Sequence, residues 1–218
     1  IGVLVADSPY GPYKDPLGKP LVWQREHWED IDPTVFIDDD GQAYMYWGNP
    51  NTYYVKLNED MISTSGDIVK LPRIPDYQEG PWCYKRGDNY YLIYAAGGIP
   101  EHISYSMSKS PEGPWEYKGK IMYDQNTGSF TNHAGIVNYK GRDYFFYHTG
   151  WLKGGGGFNR SISVEEFKFN ADGTIPEIKA TREGVAPIAT MSPYLCQQAE
   201  TMNSGIGVEV VGNESTGV

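Results

Sequence analysis

Cysteine is almost absent from this chain. Its only two thiols, Cys83 and Cys196, stand far apart with no CxxC partner. That spacing offers neither a disulfide framework nor a zinc knuckle, and two free buried thiols are the expected state. Basic residues are also scarce. Eighteen Lys and Arg face 28 Asp and Glu, a formal net charge of -10, and no run of cations forms a stripe. Nucleic acid and anionic membrane surfaces are therefore poor partners, and a neutral ligand suits the surface better. No apolar run approaches the roughly 20 residues of a membrane span, and the opening "IGVLVADSPYG" lacks the charged start and cleavage site of a signal peptide. Helical periodicity is missing too, since no long window carries apolar residues at i, i+3, i+4 and i+7.

What is present is aromatic and punctuated. The 18 Tyr, 6 Trp and 7 Phe alternate with 26 Gly and 15 Pro, a composition that favours short strands separated by turns. Three segments share one plan of strand, glycine turn and aromatic strand: "PTVFIDDDGQAYMYW", "PWCYKRGDNYYLIYA" and "AGIVNYKGRDYFFYH". Their turn glycines, Gly41, Gly87 and Gly141, lie 46 and 54 residues apart, the spacing of four-stranded propeller blades. A further turn at "NADG", around Gly173, is expected to supply outer strands of the last blade.

A second repeat is interleaved with the first. "ADSPYGPY" and "SKSPEGPW" share Ser-Pro followed by Gly-Pro, so Glu112 in the second copy corresponds to Tyr10 in the first. A scaffold that takes Tyr or Glu at one position does not need a carboxylate there, and Glu112 reads as a solvated loop residue. The other copy of Glu-Gly-Pro-Trp is different. Asp32, Glu79 and His133 stand nine, eight and eight residues ahead of their turn glycines, at equivalent places before the first strand of each unit. First strands line a propeller axis, so these three side chains are expected to meet in one pocket. Taken singly, Asp32 and Glu79 would be loop acids before Pro33 and Gly80. Their shared register argues against that reading.

These segments, "DIDPTVFIDDDGQAYMYWGN", "YQEGPWCYKRGDNYYLIYA" and "HAGIVNYKGRDYFFYH", resemble successive signatures of glycoside hydrolase family 43, over roughly residues 1 to 190. The resemblance implies an all-β, five-bladed propeller that removes arabinofuranosyl or xylosyl units from arabinoxylan, xylan and their oligosaccharides. The arabinoxylan arabinofuranohydrolases and β-xylosidases are the nearest in pattern. It implies inverting hydrolysis, with Glu79 matching the general acid and Asp32 the carboxylate that orients the acid and raises its pKa. His133 matches a histidine that helps hold a central calcium or its waters, with a hydrogen-bonded structural histidine as the alternative. No cofactor is otherwise implied. Arg160, after the "GGGG" loop, matches an arginine that reaches the sugar or an active-site carboxylate. Trp47, Trp82 and Trp151 are candidates for stacking on sugar rings, with core packing as the competing fate.

The pattern also departs from the family. Its general base is an aspartate upstream of "ADSPYGP", a segment with no counterpart here, so about three blades are expected over residues 1–193. "YLCQQAETMNSGIGVE" resembles the opening strand of a family 6 carbohydrate-binding module, placing the start of a β-sandwich at 194–218. The resulting expectations are a fragment of a secreted or periplasmic enzyme, with little hydrolysis of its own unless Asp7 or Asp38 serves as base. The rival reading is a sugar-binding propeller without catalysis, which needs the aromatic pocket but not an acid and base flanking the bond.

Overall fold

The computed structural model describes residues 1–24, 29–124 and 127–186, and its compact unit spans Ile1–Val185. Cys196 and the expected 194–218 module lie outside the described residues. Among the described residues, eleven strands and no helix form three antiparallel sheets in chain order. The first joins β1 (Thr34–Ile37), β2 (Ala43–Trp47), β3 (Tyr53–Leu57) and β4 (Thr64–Lys70). The second joins β5 (Tyr77–Arg86), β6 (Asn89–Ala96), β7 (His102–Ser108) and β8 (Glu116–Met122). The third has β9 (Gly135–Tyr139), β10 (Arg142–Thr149) and β11 (Ser161–Phe167). Each is a meander of the kind propeller blades are made from.

The three glycine turns are the β1–β2, β5–β6 and β9–β10 hairpins, with Gly41, Gly87 and Gly141 at φ of 87°, 56° and 74°. The turn around Gly173 also closes, through Asn170 N–H to Thr174 O at 2.9 Å, but no strand follows it among the described residues. The expectation of outer strands there is corrected. The segment returns to the second sheet instead, where Tyr91 Oη donates to Gly173 O at 2.7 Å and Ile178 N–H to Ile121 O at 2.7 Å. Ile175 and Ile178 are apolar residues that a strand on the far edge of the third sheet would leave exposed; here they join the core between the second and third sheets.

Aromatic faces fill the space between sheets. Tyr44, Tyr46 and Tyr54 of the first sheet pack with Tyr77, Leu92 and Tyr94 of the second. Tyr91, Ile93 and Tyr105 of the second pack with Ile136, Phe145 and Tyr147 of the third. Tyrosine suits this position because its ring is buried while its hydroxyl reaches a partner at the sheet margin. Tyr46 donates to Pro111 O at 2.6 Å, Tyr77 to Gly48 O at 2.8 Å and Tyr94 to Pro75 O at 2.9 Å.

Three expected side chains change place in this packing. Trp47 lies on the central strand β2, covered on both faces, and is fully buried. It stacks on Tyr53 at 5.8 Å, and its indole N–H points to Asp30 and Gln24. A ring closed off from solvent cannot stack on a sugar, so Trp47 belongs to the core. Glu112 is on an outer turn, as its repeat position suggests, but it is not simply solvated: it pairs with Lys56 at 2.7 Å and accepts from Tyr54 Oη at 3.0 Å. Asp38 accepts from Lys85 Nζ at 2.5 Å and from Tyr90 Oη at 2.6 Å. Six extended residues separate Asp38 from Asp32, roughly 20 Å, so it belongs to the opposite end of β1 and is unsuited to act with Glu79.

Candidate active site

The first strands of the three sheets lie side by side, β1 against β5 and β5 against β9, and their leading ends bring three side chains together. One ligand-capable atom from each of Asp32, Glu79 and His133 lies within 4.8 Å of the others. Each is placed by a local device. Asp32 has φ of 53°, a left-handed conformation that Asp tolerates better than bulkier residues, and it precedes Pro33. Glu79 lies inside β5, not ahead of it, between two register shifts that interrupt the ladder to β6. Such irregularities turn a side chain out of the regular alternation, and here they direct Glu79 to the pocket. Gly80, at φ of 59°, lets the imidazole lie against the backbone: a Cβ there would stand 2.9 Å from His133 Nδ1.

The electrostatics reverse one expectation. The resemblance implies that Asp32 raises the pKa of Glu79, yet Asp32 is the one held above its ordinary value. Burial is the main cause and the charge of Glu79 adds to it, while His133 and Arg160 oppose. Its Oδ2 is buried without a hydrogen-bond partner, 3.9 Å from His133 Nε2. Glu79 is held below the usual carboxylate range, first by the hydrogen bond from His133 Nε2 to Oε1 at 3.1 Å. Asn49 Nδ2 donates to its other oxygen and outweighs, with His133, the opposing effect of burial. Burial alone would lower the pKa of His133, but Glu79, Asp32 and Glu101 together raise it. His133 Nε2 and Glu79 Oε1 thus face each other at 3.1 Å, a proximity that lowers the pKa of Glu79 and raises that of His133.

Three contributors carry no repeat signature. Asn49 is 2% exposed at the loop after β2. His148, on β10, stands beside His133 and is pushed down to about 4 by burial and by the charges of Arg160 and His133. Glu101, just ahead of β7, is pushed up to about 7 by burial and the nearby Glu79 carboxylate, with the Asn132 amide and His133 opposing. Sequence signals for them are faint: Asn49 and Glu101 sit at strand ends beside Pro50 and Pro100, where loops reach a pocket.

The other candidate binding residues are dispersed. Arg160 is exposed just before β11, and its charge acts on both Asp32 and His148. Trp82 is 37% exposed and lies over Gly135 at the β5–β9 seam. Trp151 lines a hollow of about 390 Å³ with Thr149, Ser161 and Arg182, and the Arg182 guanidinium sits 4.8 Å over its ring. One face of that indole is therefore taken. Calcium binds six to eight oxygens. Waters count among those oxygens, and the cluster offers two carboxylates beside an imidazole whose Nε2 is bonded to Glu79, so these three side chains alone do not complete a calcium ligand set, while His133 makes the hydrogen bond of the structural alternative.

The model of glycosyl hydrolases family 43 matches residues 1–175. An arabinoxylan arabinofuranohydrolase of Bacillus subtilis is 36% identical over 92% of this chain and 46% of its own length. The crystal structure of a B. subtilis arabinoxylan arabinofuranohydrolase of this family, in complex with cellotetraose, superposes with a TM-score of 0.79 at 32% identity, covering 89% of this chain and 47% of that one. A β-xylosidase/α-arabinofuranosidase from a compost metagenome, in complex with xylotriose and in calcium-free form, gives a TM-score of 0.71 at 30% identity over 82% of this chain and 65% of that one. The chain thus spans about half the length of the arabinofuranohydrolases it matches.

Proposed function

Because this chain belongs to glycosyl hydrolases family 43, we propose that its site works in inverting hydrolysis of arabinofuranosyl or xylosyl units on arabinoxylan and xylan. In this reading Glu79 protonates the glycosidic oxygen as the C–O bond breaks. Water adds to the anomeric carbon from the opposite face and gives its proton to a second carboxylate. Asp32 orients the pair, Arg160 meets the sugar at the rim, and Trp82 and Trp151 offer aromatic surface to the glycan. The base is assigned to no described residue. The three sheets are three blades of a five-bladed propeller, and an enzyme acting on cell-wall polysaccharide would work outside the cytoplasm, in the periplasm or medium.

The observation that carries this reading is the convergence of Asp32, Glu79 and His133 from three separate sheets into one pocket. Core packing gives no reason to gather two carboxylates and an imidazole there, and a module that only bound sugar would not need them. Incubation of the protein, extended to the length of the relatives it matches, with arabinoxylan, and chromatography of the released sugars, tests it. Arabinose alone supports arabinofuranosyl removal and xylose supports xylosidase action. Polysaccharide binding with no release would favour the sugar-binding alternative.

A further inference from the structure

The loop between β2 and β3 reaches Glu79 with a side chain that the proposed reaction leaves unused. Asn49 is buried, and its Nδ2 donates to Glu79 Oε2. Its carbonyl is held as well: Oδ1 accepts from Gln78 Nε2 at 3.4 Å. An amide carries its donor and its acceptor on opposite sides, so turning it over would set oxygen against the carboxyl. With Gln78 on the oxygen, the nitrogen faces Glu79. The loop itself is pinned. Gly48 N–H donates to Ile31 O at 3.1 Å, next to Asp32, and Tyr77 Oη donates to Gly48 O at 2.8 Å. Asn51 Nδ2 donates to both oxygens of the buried Glu29, at 3.0 and 3.2 Å. Gly48 has φ of 125°, and a Cβ there would strike Asn51 O, so this path of the chain is open to glycine alone. Asn49 is presented from a fixed backbone.

From these contacts we propose that Asn49 is a positioning residue for Glu79, holding one carboxyl oxygen while His133 holds the other, so that the carboxyl keeps a single orientation for proton transfer. The proposal rests on the reading of Glu79 as general acid. The last torsion of a glutamate is broad, and a donor at one oxygen alone lets the other swing. Donors on both, His133 Nε2 on Oε1 at 3.1 Å and Asn49 Nδ2 on Oε2, remove that freedom. Each oxygen keeps a second lone-pair site, where the proton that Glu79 delivers can sit without displacing either partner. The titratable groups facing Glu79 are His133 ahead of β9, Asp32 ahead of β1, Glu101 ahead of β7 and the Tyr77 phenol on β5 itself. Asn49 carries no charge, so its donation persists at every pH, and it favours the ionised carboxyl.

The test is an NMR titration of the chain with ¹³C-labelled glutamate carboxyls and ¹⁵N-labelled side-chain amides. The Glu79 resonance, identified by its loss in Glu79→Gln, is expected to move to a higher midpoint in Asn49→Ala. It should move further in Asn49→Asp, which keeps the volume but sets an acceptor against Oε2. A midpoint that Asn49→Ala leaves in place overturns the proposal. Should that variant fail to fold, the wild type decides: the Asn49 amide protons should shift with the midpoint of Glu79, and amide protons indifferent to it overturn the proposal. The kinetic arm uses the protein extended to the length of its relatives. Asn49→Ala should lower kcat on xylo-oligosaccharides with poor leaving groups about 10-fold or more and leave KM within about 2-fold. The alkaline limb of its pH profile should move upward, as the Glu79 midpoint does. An unmoved limb, with equal losses on activated aryl glycosides, would mean a merely structural Asn49. If Glu79→Gln spares hydrolysis, the acid reading fails and takes the role in proton transfer with it, whereas the titration reads the Asn49 contact independently.

Discussion

The sequence Glu-Gly-Pro-Trp occurs twice, at 79–82 and 112–115, and the two copies have opposite surroundings. Both glycines have positive φ, 59° at Gly80 and 90° at Gly113. A Cβ on Gly80 would press into His133, and on Gly113 into Trp115. Glu79 is sandwiched between β-bulges and surrounded by His133, Asn49 and Glu101. Glu112 follows a Ser110 turn on the outside and pairs with Lys56. The same four residues thus give a chemical group in one place and a surface ion pair in the other. The difference comes from which strand end each copy occupies.

Substitutions in and around the two copies probe that comparison. The largest effect is expected from Glu79→Gln in the protein extended to the length of its relatives, a loss of about 10²- to 10⁴-fold in kcat on substrates with poor leaving groups and much less on activated aryl glycosides, read by steady-state kinetics. Matching losses on both substrates would remove the distinction between the copies.

Next comes pH. Glu101 binds its proton more tightly in the folded chain than its ordinary 4.5 allows, so its contribution to stability is complete below that value and is lost as pH rises towards about 7. His133, also raised, contributes fully below 6.5 and loses that contribution as pH rises through its folded value. Chemical denaturation should show the wild-type chain losing stability between about pH 6.5 and 8, above the range in which His148, held at about 4, gives the opposite slope. Glu101→Gln should remove up to about 3 kcal/mol of that slope. A wild-type profile that rises over this window would contradict both shifts.

Gly80→Ala and Gly113→Ala sharpen the comparison at smaller cost. Each forces a left-handed Ala and should lose about 1–2 kcal/mol. Only Gly80→Ala should also move the His133 resonance in a proton NMR titration. Smallest is Glu112→Gln. Its ion pair with Lys56 is well exposed, so thermal melts should change by less than about 1 kcal/mol with the site's titration untouched.

The hairpins and the meeting of Asp32, Glu79 and His133 are legible in the sequence because each repeats at one register, and a repeat fixes position without coordinates. The fate of Trp47 is not, because a tryptophan at a strand end reads alike whether a neighbouring sheet covers it or not. The missing strand after Gly173 depends on Ile175 and Ile178 finding the second sheet, a tertiary preference that a turn motif does not encode. The order of protonation is hidden for a related reason. It turns on the 3.1 Å from His133 to Glu79 against 3.9 Å to Asp32, and on Glu101, whose "PEHI" setting has no sister in the other units.

The tyrosines between the sheets bear on more than cohesion. Tyr46 reaches Pro111 O, Tyr77 reaches Gly48 O and Tyr91 reaches Gly173 O, each from one sheet or its margin to a neighbouring segment. Apolar contact alone would let adjacent sheets slide over one another, since it has no preferred direction. A phenol bonded to one particular carbonyl does not slide. The hydroxyls act as locating pins that set the rotation of each sheet on the next, and that rotation decides whether three strand ends meet. Exchanging one core hydrocarbon for another of similar volume leaves the pins in place; replacing tyrosine with phenylalanine keeps nearly all the buried surface and frees the angle.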